Sequence, residues 1–387
     1  MKKIKKNITF IYMDKAEKAM YTPIAEEAIK RGYTVSFTTN KFAKAEIGFY
    51  CQHINYPKNS KFSFIMLHDI IQQYSNWPNI WYNEPWNEYD VGILPSNQWE
   101  HNWIESSCYH YARPRKGIYK VGWPKADVVS KIQNASHKKD FLESHGLDSS
   151  KRTILYAPAW ENDGKQDDFV QAMLKLNVNI LIKQAPWVKE EYPEIYNNVL
   201  EMEQKHKGLK NVCILPMETN IFEAIAISDI LVSEESSTMC EASMMGIPAV
   251  SVSDWLIPDV VPSRYPKCDY DFVTVTTKGQ LTDKIQEMLK NYQKYKEKVE
   301  TFKNENFSNI GSTAVIIMDI LDSYVNQTPL DYPALSPKPL KEISKQEESD
   351  RKKLQRKRKL LDKAKHKKMY AFAYKVYCLL FKRKERN

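Results

Sequence analysis

Between residues 152 and 252 the chain repeats one unit: a short apolar, β-branched run, a turn, then a stretch with helical spacing. The strand-like runs fall at 152–157, 179–183, 212–215, 229–232 and 248–252. Helical segments at 167–176, 194–206, 221–227 and 237–245 separate them. Strands that are apolar throughout need cover on both faces, and intervening helices supply it, so the pattern predicts a parallel α/β sheet. A similar alternation occupies the amino-terminal part. There 7–14, 34–39, 62–67, 91–94 and 118–121 read as strands, and Ile24, Ala25, Ala28 and Ile29 mark a helix that ends at Gly32. Further helices are expected at 281–304 and 312–325. The polar stretch 134–152 separates the two halves. The predicted organisation is a first α/β domain over 1–140, a second over 141–326, a Pro-rich linker over 327–350 and a separate tail over 351–387. Two such domains predict a ligand cleft between them, because ligands of open α/β sheets bind outside the carboxyl ends of the strands.

Composition narrows the class. The 387 residues include only 11 glycines in no repeating triplet, and 23 tyrosines, 14 phenylalanines and 9 tryptophans, which excludes a fibrous or largely disordered chain. No apolar run reaches the roughly 18–20 residues of a membrane span. The basic start at Lys2 is followed by Asp14 and Glu17 where a signal peptide needs its apolar stretch, so export by that route is not expected. The six cysteines form no Cys-x-x-Cys pair, and no His/Asp/Glu spacing suggests a metal site, so reduced thiols and no bound metal or cofactor are expected.

The net charge of +9 is concentrated at one end. Residues 351–387 hold 16 Lys+Arg against two acids, a charge of +14, which leaves −5 for everything before them. Within this tail, 369–381 is apolar apart from Lys375 and is flanked by cations. Thirteen helical residues reach only about 20 Å, too short to span but suited to lie in an anionic interface. Nucleic-acid binding is the competing use of the charge, although nothing in the body resembles a nucleic-acid module.

The segment 228–250 carries the most chemistry. A strand ends at Ser233, and Ser236, Ser237 and Thr238 then stand where a helix begins, with Glu241 one turn on and Gly246-Ile247-Pro248 closing it. A helix start with hydroxyls suits donor phosphate, and Glu241 is placed to accept from ribose hydroxyls. The plainer reading is that Ser236 caps an ordinary helix. Lys183 ends a strand-like run beside this segment, either pairing with donor phosphate or standing solvated. His68 also ends such a run. It serves either as a general base for an acceptor hydroxyl or as a histidine bonded to backbone, with Asp69 orienting it or lying as a surface carboxylate. The aromatic stretch 74–104 offers an acceptor platform if its rings are exposed, and core if they are not.

These strings resemble nucleotide-dependent transferases of the GT-B type, with two Rossmann-like domains facing a cleft. More closely, Ile154-Leu155-Tyr156-Ala157-Pro158-Ala159-Trp160 is similar to the Tyr-Ala-Pro-Thr-Trp segment of the CDP-glycerol glycerophosphotransferases, the teichoic-acid primases and polymerases. Val121-Gly122-Trp123-Pro124-Lys125-Ala126-Asp127 resembles that family's Gly-x-Pro-Arg-x-Asp segment. Met66-Leu67-His68-Asp69 stands where it has His-Gly. The resemblance covers about residues 60–325. It implies transfer of glycerol phosphate or a related polyol phosphate from a CDP-activated donor. The implied acceptor is a lipid-linked glycan or a teichoic-acid or capsule-type polymer, at the cytoplasmic face of the bacterial membrane. Three departures stand out: Asp69 replaces Gly, Ser233-Glu234-Glu235-Ser236-Ser237 replaces Thr-Asp-Tyr-Ser-Ser, and Lys183-Gln184-Ala185-Pro186 replaces Lys-x-His-Pro. The alternatives they keep open are a glycosyltransferase using a nucleotide sugar and a nucleotide-binding scaffold without turnover.

Overall fold

The computed structural model describes residues 4–52, 55–67, 69–70, 80–132, 135–161, 164–234, 236–255 and 270–366. His68, Tyr74, Trp77, Glu235 and residues 367–387 of the tail therefore lie outside the described residues.

Two six-stranded sheets, all parallel, form the body. The first contains β1 (Asn7–Ile11), β2 (Thr34–Thr38), β3 (Ala45–Cys51), β4 (Ser60–Met66), β5 (Val91–Leu94) and β6 (Gly117–Lys120). Its strand order is β2-β1-β3-β4-β5-β6. The second contains β7 (Thr153–Tyr156), β8 (Asn179–Ile182), β9 (Val212–Ile214), β10 (Ile230–Ser233), β11 (Ala249–Val252) and β12 (Val273–Thr276), in the order β12-β11-β10-β7-β8-β9. The chain reverses its winding direction between β1 and β3 in the first sheet and between β7 and β10 in the second.

The apolar strands are explained by what covers them. In the second sheet Leu155, Leu181, Leu231 and Ala249 face one core cluster, while Ile154, Tyr156, Ile180, Ile182, Val232 and Val250 face another. Successive side chains thus alternate between two buried faces. The first of these clusters continues into the first domain through Phe10, Phe49 and Phe64, so one core joins both sheets. A third cluster backs the first sheet with Trp81, Trp86, Tyr89, Trp99 and Trp103, all buried. These five rings of the 74–104 stretch are core and not an acceptor platform.

Four differences from the expected elements stand out, and one is β12, where no strand is expected. β3 was not anticipated because only residues 39–44, without a helix, connect it to β2. It nonetheless lies at the centre of its sheet, and a Cβ at Gly48 would collide with Ser60 Oγ and the Tyr50 ring. The helix expected over 281–304 is two helices, Leu281–Lys290 and Tyr292–Asn306, and part of the polar 134–152 stretch is the helix Ala135–Ser144.

The chain returns to the first domain after the second sheet. The helix Thr313–Asn326 packs on the helix Lys15–Lys30, where Arg31 bonds Asp319 at 2.7 Å and Asp322 at 3.0 Å. The Pro-rich stretch then runs along the first domain, with Leu335 N donating to Ile118 O and Lys341 N to Cys108 O. A helix begins inside the expected linker, at Lys345, and continues to His366. It is docked: buried Asp362 pairs with Lys41 at 2.9 Å, and Arg358 donates to Glu84 at 2.6 Å. Residues 351–366 are thus part of the first domain's surface and not a free tail. No helix among the described residues is long and apolar enough to cross a membrane.

Candidate active site

The two winding reversals face each other. A cleft of about 570 Å³ is lined from the first domain by Lys15, Ala16, Ala19, Asp69 and Lys125. The second domain contributes four loops at strand carboxyl ends: Ala157–Ala159 after β7, Lys183–Pro186 after β8, Met217–Asn220 after β9 and Ser236–Thr238 after β10. This is where a doubly wound sheet leaves its crevice.

The helix Lys15–Lys30 is set by the two acids that argued against a leader. Asp14 accepts from Glu17 N at 2.8 Å and Glu17 accepts from Met13 N at 2.6 Å, a reciprocal cap that fixes the first turn at the cleft wall. Asp69, after β4, accepts from Gln52 Nε2 at 3.3 Å.

Lys183 is buried, and its Nζ donates to Gln184 O and Met217 O, both at 2.7 Å, leaving one ammonium proton for a ligand. Burial, reinforced by the charge of Lys125 and opposed by Glu218 and Glu241, lowers its pKa to about 8. It is therefore not the solvated lysine of the plainer reading.

The helix after β10 spans Thr238–Met244, one residue shorter at each end than expected. Ser237 holds its N-cap position without a side-chain bond. Ser236 instead accepts from Thr238 N at 3.2 Å, so the serines form a turn ahead of the helix. Ser237 is exposed, and Thr238 Oγ1 reaches Ala157 O at 3.5 Å. Glu241 is buried and engaged across the domain boundary: Lys125 donates to its Oε1 at 2.7 Å and Trp123 Nε1 at 3.4 Å.

Four polar residues to which the sequence analysis gives no role organise this wall. Buried Glu234 accepts from Ala159 N, Trp160 N and Lys165 Nζ at 2.9, 3.1 and 3.1 Å, which holds the loop after β7 in place. Behind the loop after β8, Gln184 Nε2 donates to Glu161 at 2.8 Å and Gln166 at 3.0 Å, while Tyr156 OH donates to Glu161 at 3.0 Å. Burial pushes the Glu161 carboxyl up, and the bonds from Gln166 N, Gln184 and Tyr156 oppose it. Asp127 accepts from Thr313 N at 2.8 Å and Ala314 N at 2.6 Å, capping the helix that crosses back to the first domain. Gly122 in the same segment has a φ of +128°, and a Cβ there would strike Ser308 O at 2.6 Å. The only signal for these roles was the motif positions of Glu234, Glu161's neighbours and Asp127. Ala185, which replaces a histidine in the segment's resemblance, lines the cleft. Among the described residues no group of His, Cys, Asp and Glu could hold a metal ion.

Two doubly wound domains with a cleft between their switch points define a GT-B-type fold, and solved structures of that shape superpose on it. A wall teichoic acid polymerase TagF variant soaked with CDPG matches with a TM-score of 0.60 at 16% identity, over 83% of this chain and 89% of that one. A putative UDP-N-acetylglucosamine 2-epimerase from Listeria monocytogenes matches with a TM-score of 0.58 at 12% identity, over 87% and 100%. The sequence goes further than shape: residues 78–312 match the model of the CDP-glycerol:poly(glycerophosphate) glycerophosphotransferase family, and the chain belongs to that family. A teichoic acid poly(glycerol phosphate) polymerase of Staphylococcus epidermidis is 27% identical over 143 residues, 34% of this chain and 18% of the relative. The chain thus aligns with less than a fifth of that relative's length.

Proposed function

We propose that the chain transfers glycerol phosphate, or a related polyol phosphate, from a CDP-activated donor to a lipid-linked glycan or teichoic-acid-type polymer at the cytoplasmic face of the membrane. The observation that carries this reading is the cleft itself, where buried Lys183 and the Ser236–Thr238 turn meet at the second sheet's switch point in a chain of this family. The acceptor hydroxyl attacks the glycerol-bearing phosphorus, a new O–P bond forms, and the bond to the bridging oxygen breaks so that CMP leaves. His68 takes the acceptor proton, with Asp69 beside it in sequence. Lys183 and the Ser236, Ser237 and Thr238 donors hold the diphosphate and the charge that gathers on the departing phosphate. Glu241 reaches the ribose through the oxygen that Lys125 does not engage.

One observation favours a second reading. The cleft wall has the methyl of Ala185 where the family has an imidazole, which suits a glycosyltransferase acting on a nucleotide sugar.

A donor panel separates them. CDP-glycerol, CDP-ribitol and a set of nucleotide sugars are offered with a lipid-linked acceptor, and the released nucleotide is identified. CMP is the expected product. Release of a nucleoside diphosphate marks glycosyl transfer, and nucleotide binding with no release from any donor marks a scaffold. Loss of turnover in His68→Ala is expected, and unchanged turnover would refute its role as base.

A further inference from the structure

A second cavity, of about 520 Å³, lies away from the cleft, between the helix Lys345–His366 and the first domain. Its first-domain residues stand before their strands: Lys58 before β4, Glu88 before β5 and His110 before β6. The cleft residue Asp69 follows the carboxyl end of β4. Seven residues of strand separate the two edges, on the order of 20 Å. The cavity is therefore at the opposite edge of the first sheet from the transfer site.

Its walls hold more donors than acceptors. Lys58, Arg351, Lys352, Arg356 and Lys359 face only two carboxylates, Glu88 and Glu348. Both carboxylates are already engaged. Glu88 pairs with Lys359 at 3.1 Å and Lys58 at 3.5 Å, and Glu348 with Lys352 at 3.0 Å and Arg351 at 3.1 Å. Arg351 is 96% buried, stacked over the Tyr111 ring, and its Nη1 has no acceptor. Gln355 Nε2, in the same wall, has none either. Both atoms are sealed from solvent, so the cations that a ligand in the cavity can reach are Lys58, Lys352, Arg356 and Lys359. Arg356 is exposed, and it is the one of these without an ion pair among the described residues.

We propose that this cavity binds a phosphodiester. Lys352, Arg356 and Lys359, on successive turns of the helix Lys345–His366, share the space with Lys58 of the 3₁₀ turn Pro57–Asn59 in the first domain. That arrangement matches a tetrahedral oxyanion better than a planar carboxylate. The volume holds a phosphate together with its polyol. Two sources share this chemistry: the headgroup of an anionic phospholipid and the repeating unit of a poly(polyol phosphate) chain. The inference does not depend on the reading of the cleft.

The test titrates the full chain with glycerophosphoglycerol, the smallest glycerol phosphodiester, by calorimetry with CDP present to fill the cleft. Binding in the millimolar range is expected, about −4 kcal/mol. Arg356→Glu and Lys352→Glu should each weaken it about tenfold or more, with CDP affinity unchanged. A short glycerol-phosphate oligomer and phosphatidylglycerol vesicles, against phosphatidylcholine vesicles, then identify the source. Oligomer binding lost in Arg356→Glu assigns the polymer, and vesicle binding lost in that variant assigns the lipid. No binding of any of the three probes by the wild-type chain overturns the proposal. So does binding that neither substitution alters.

Discussion

Lys183 shows how a single side chain acquires its chemistry from its setting. Two backbone carbonyls hold its ammonium in a buried position beside Lys125, and its pKa falls to about 8. A lysine with a lowered pKa keeps its charge below that value and loses it as pH rises through it, whereas an ordinary lysine stays charged to about pH 10.4. The affinity of the free protein for CDP should therefore fall about tenfold between roughly pH 7 and 9.5. Titration calorimetry across that range checks it, and Lys183→Met should flatten the profile. Lys125→Met removes the like charge and should move the step upward. Lys183 was legible in the sequence as a strand-end lysine. Its burial was not, because the Gln184 and Met217 carbonyls that hold it come from separate loops.

Elements are tied to one another by a few carboxylates. Asp127 lies in a segment whose sequence resembles a family motif, and the structure gives that motif a mechanical meaning: it caps the helix Thr313–Asn326 from 186 residues away. Asp127→Ala should cost about 1–2 kcal/mol, read as a lower urea midpoint at unchanged m-value. Glu234 is more deeply committed, since it satisfies two loop N–H groups and neutralises buried Lys165. Glu234→Ala leaves that lysine unpaired and should cost about 3–5 kcal/mol. Exchanging the pair for apolar residues of similar volume should cost less, which the same denaturation measurement resolves. β7 to β11 of the second sheet were readable because each is a short apolar run and helices separate one from the next. β3 was hidden because its crossover from β2 has no helix to announce it, and β12 because it follows a long connection.

The whole molecule is organised by a chain that leaves the first domain, builds the second and comes back. The charge asymmetry of the sequence takes on a different form in three dimensions. Part of the +14 segment is consumed in docking, with Arg351, Arg358, Lys359 and Asp362 held against the first domain. Membrane attachment is accordingly expected from residues beyond the helix Lys345–His366. Deleting 367–387 should weaken flotation with phosphatidylglycerol vesicles at low salt by about tenfold or more while leaving the unfolding transition in place. Vesicle binding unchanged by the deletion would refute an anchor there.

By itself the sequence determined the class of fold, because apolar strands alternating with helices can bury both their faces in only a few ways. It also marked the loops that end at the cleft, since short polar strings after strands carry their own signal. Only the tertiary structure decided what those loops face. The pairing of Lys125 with Glu241, the burial of Lys183, the core role of the tryptophans and the docking of the basic helix all join residues far apart in the chain. Their energies depend on which groups meet and how much water is removed between them, and no local pattern encodes that.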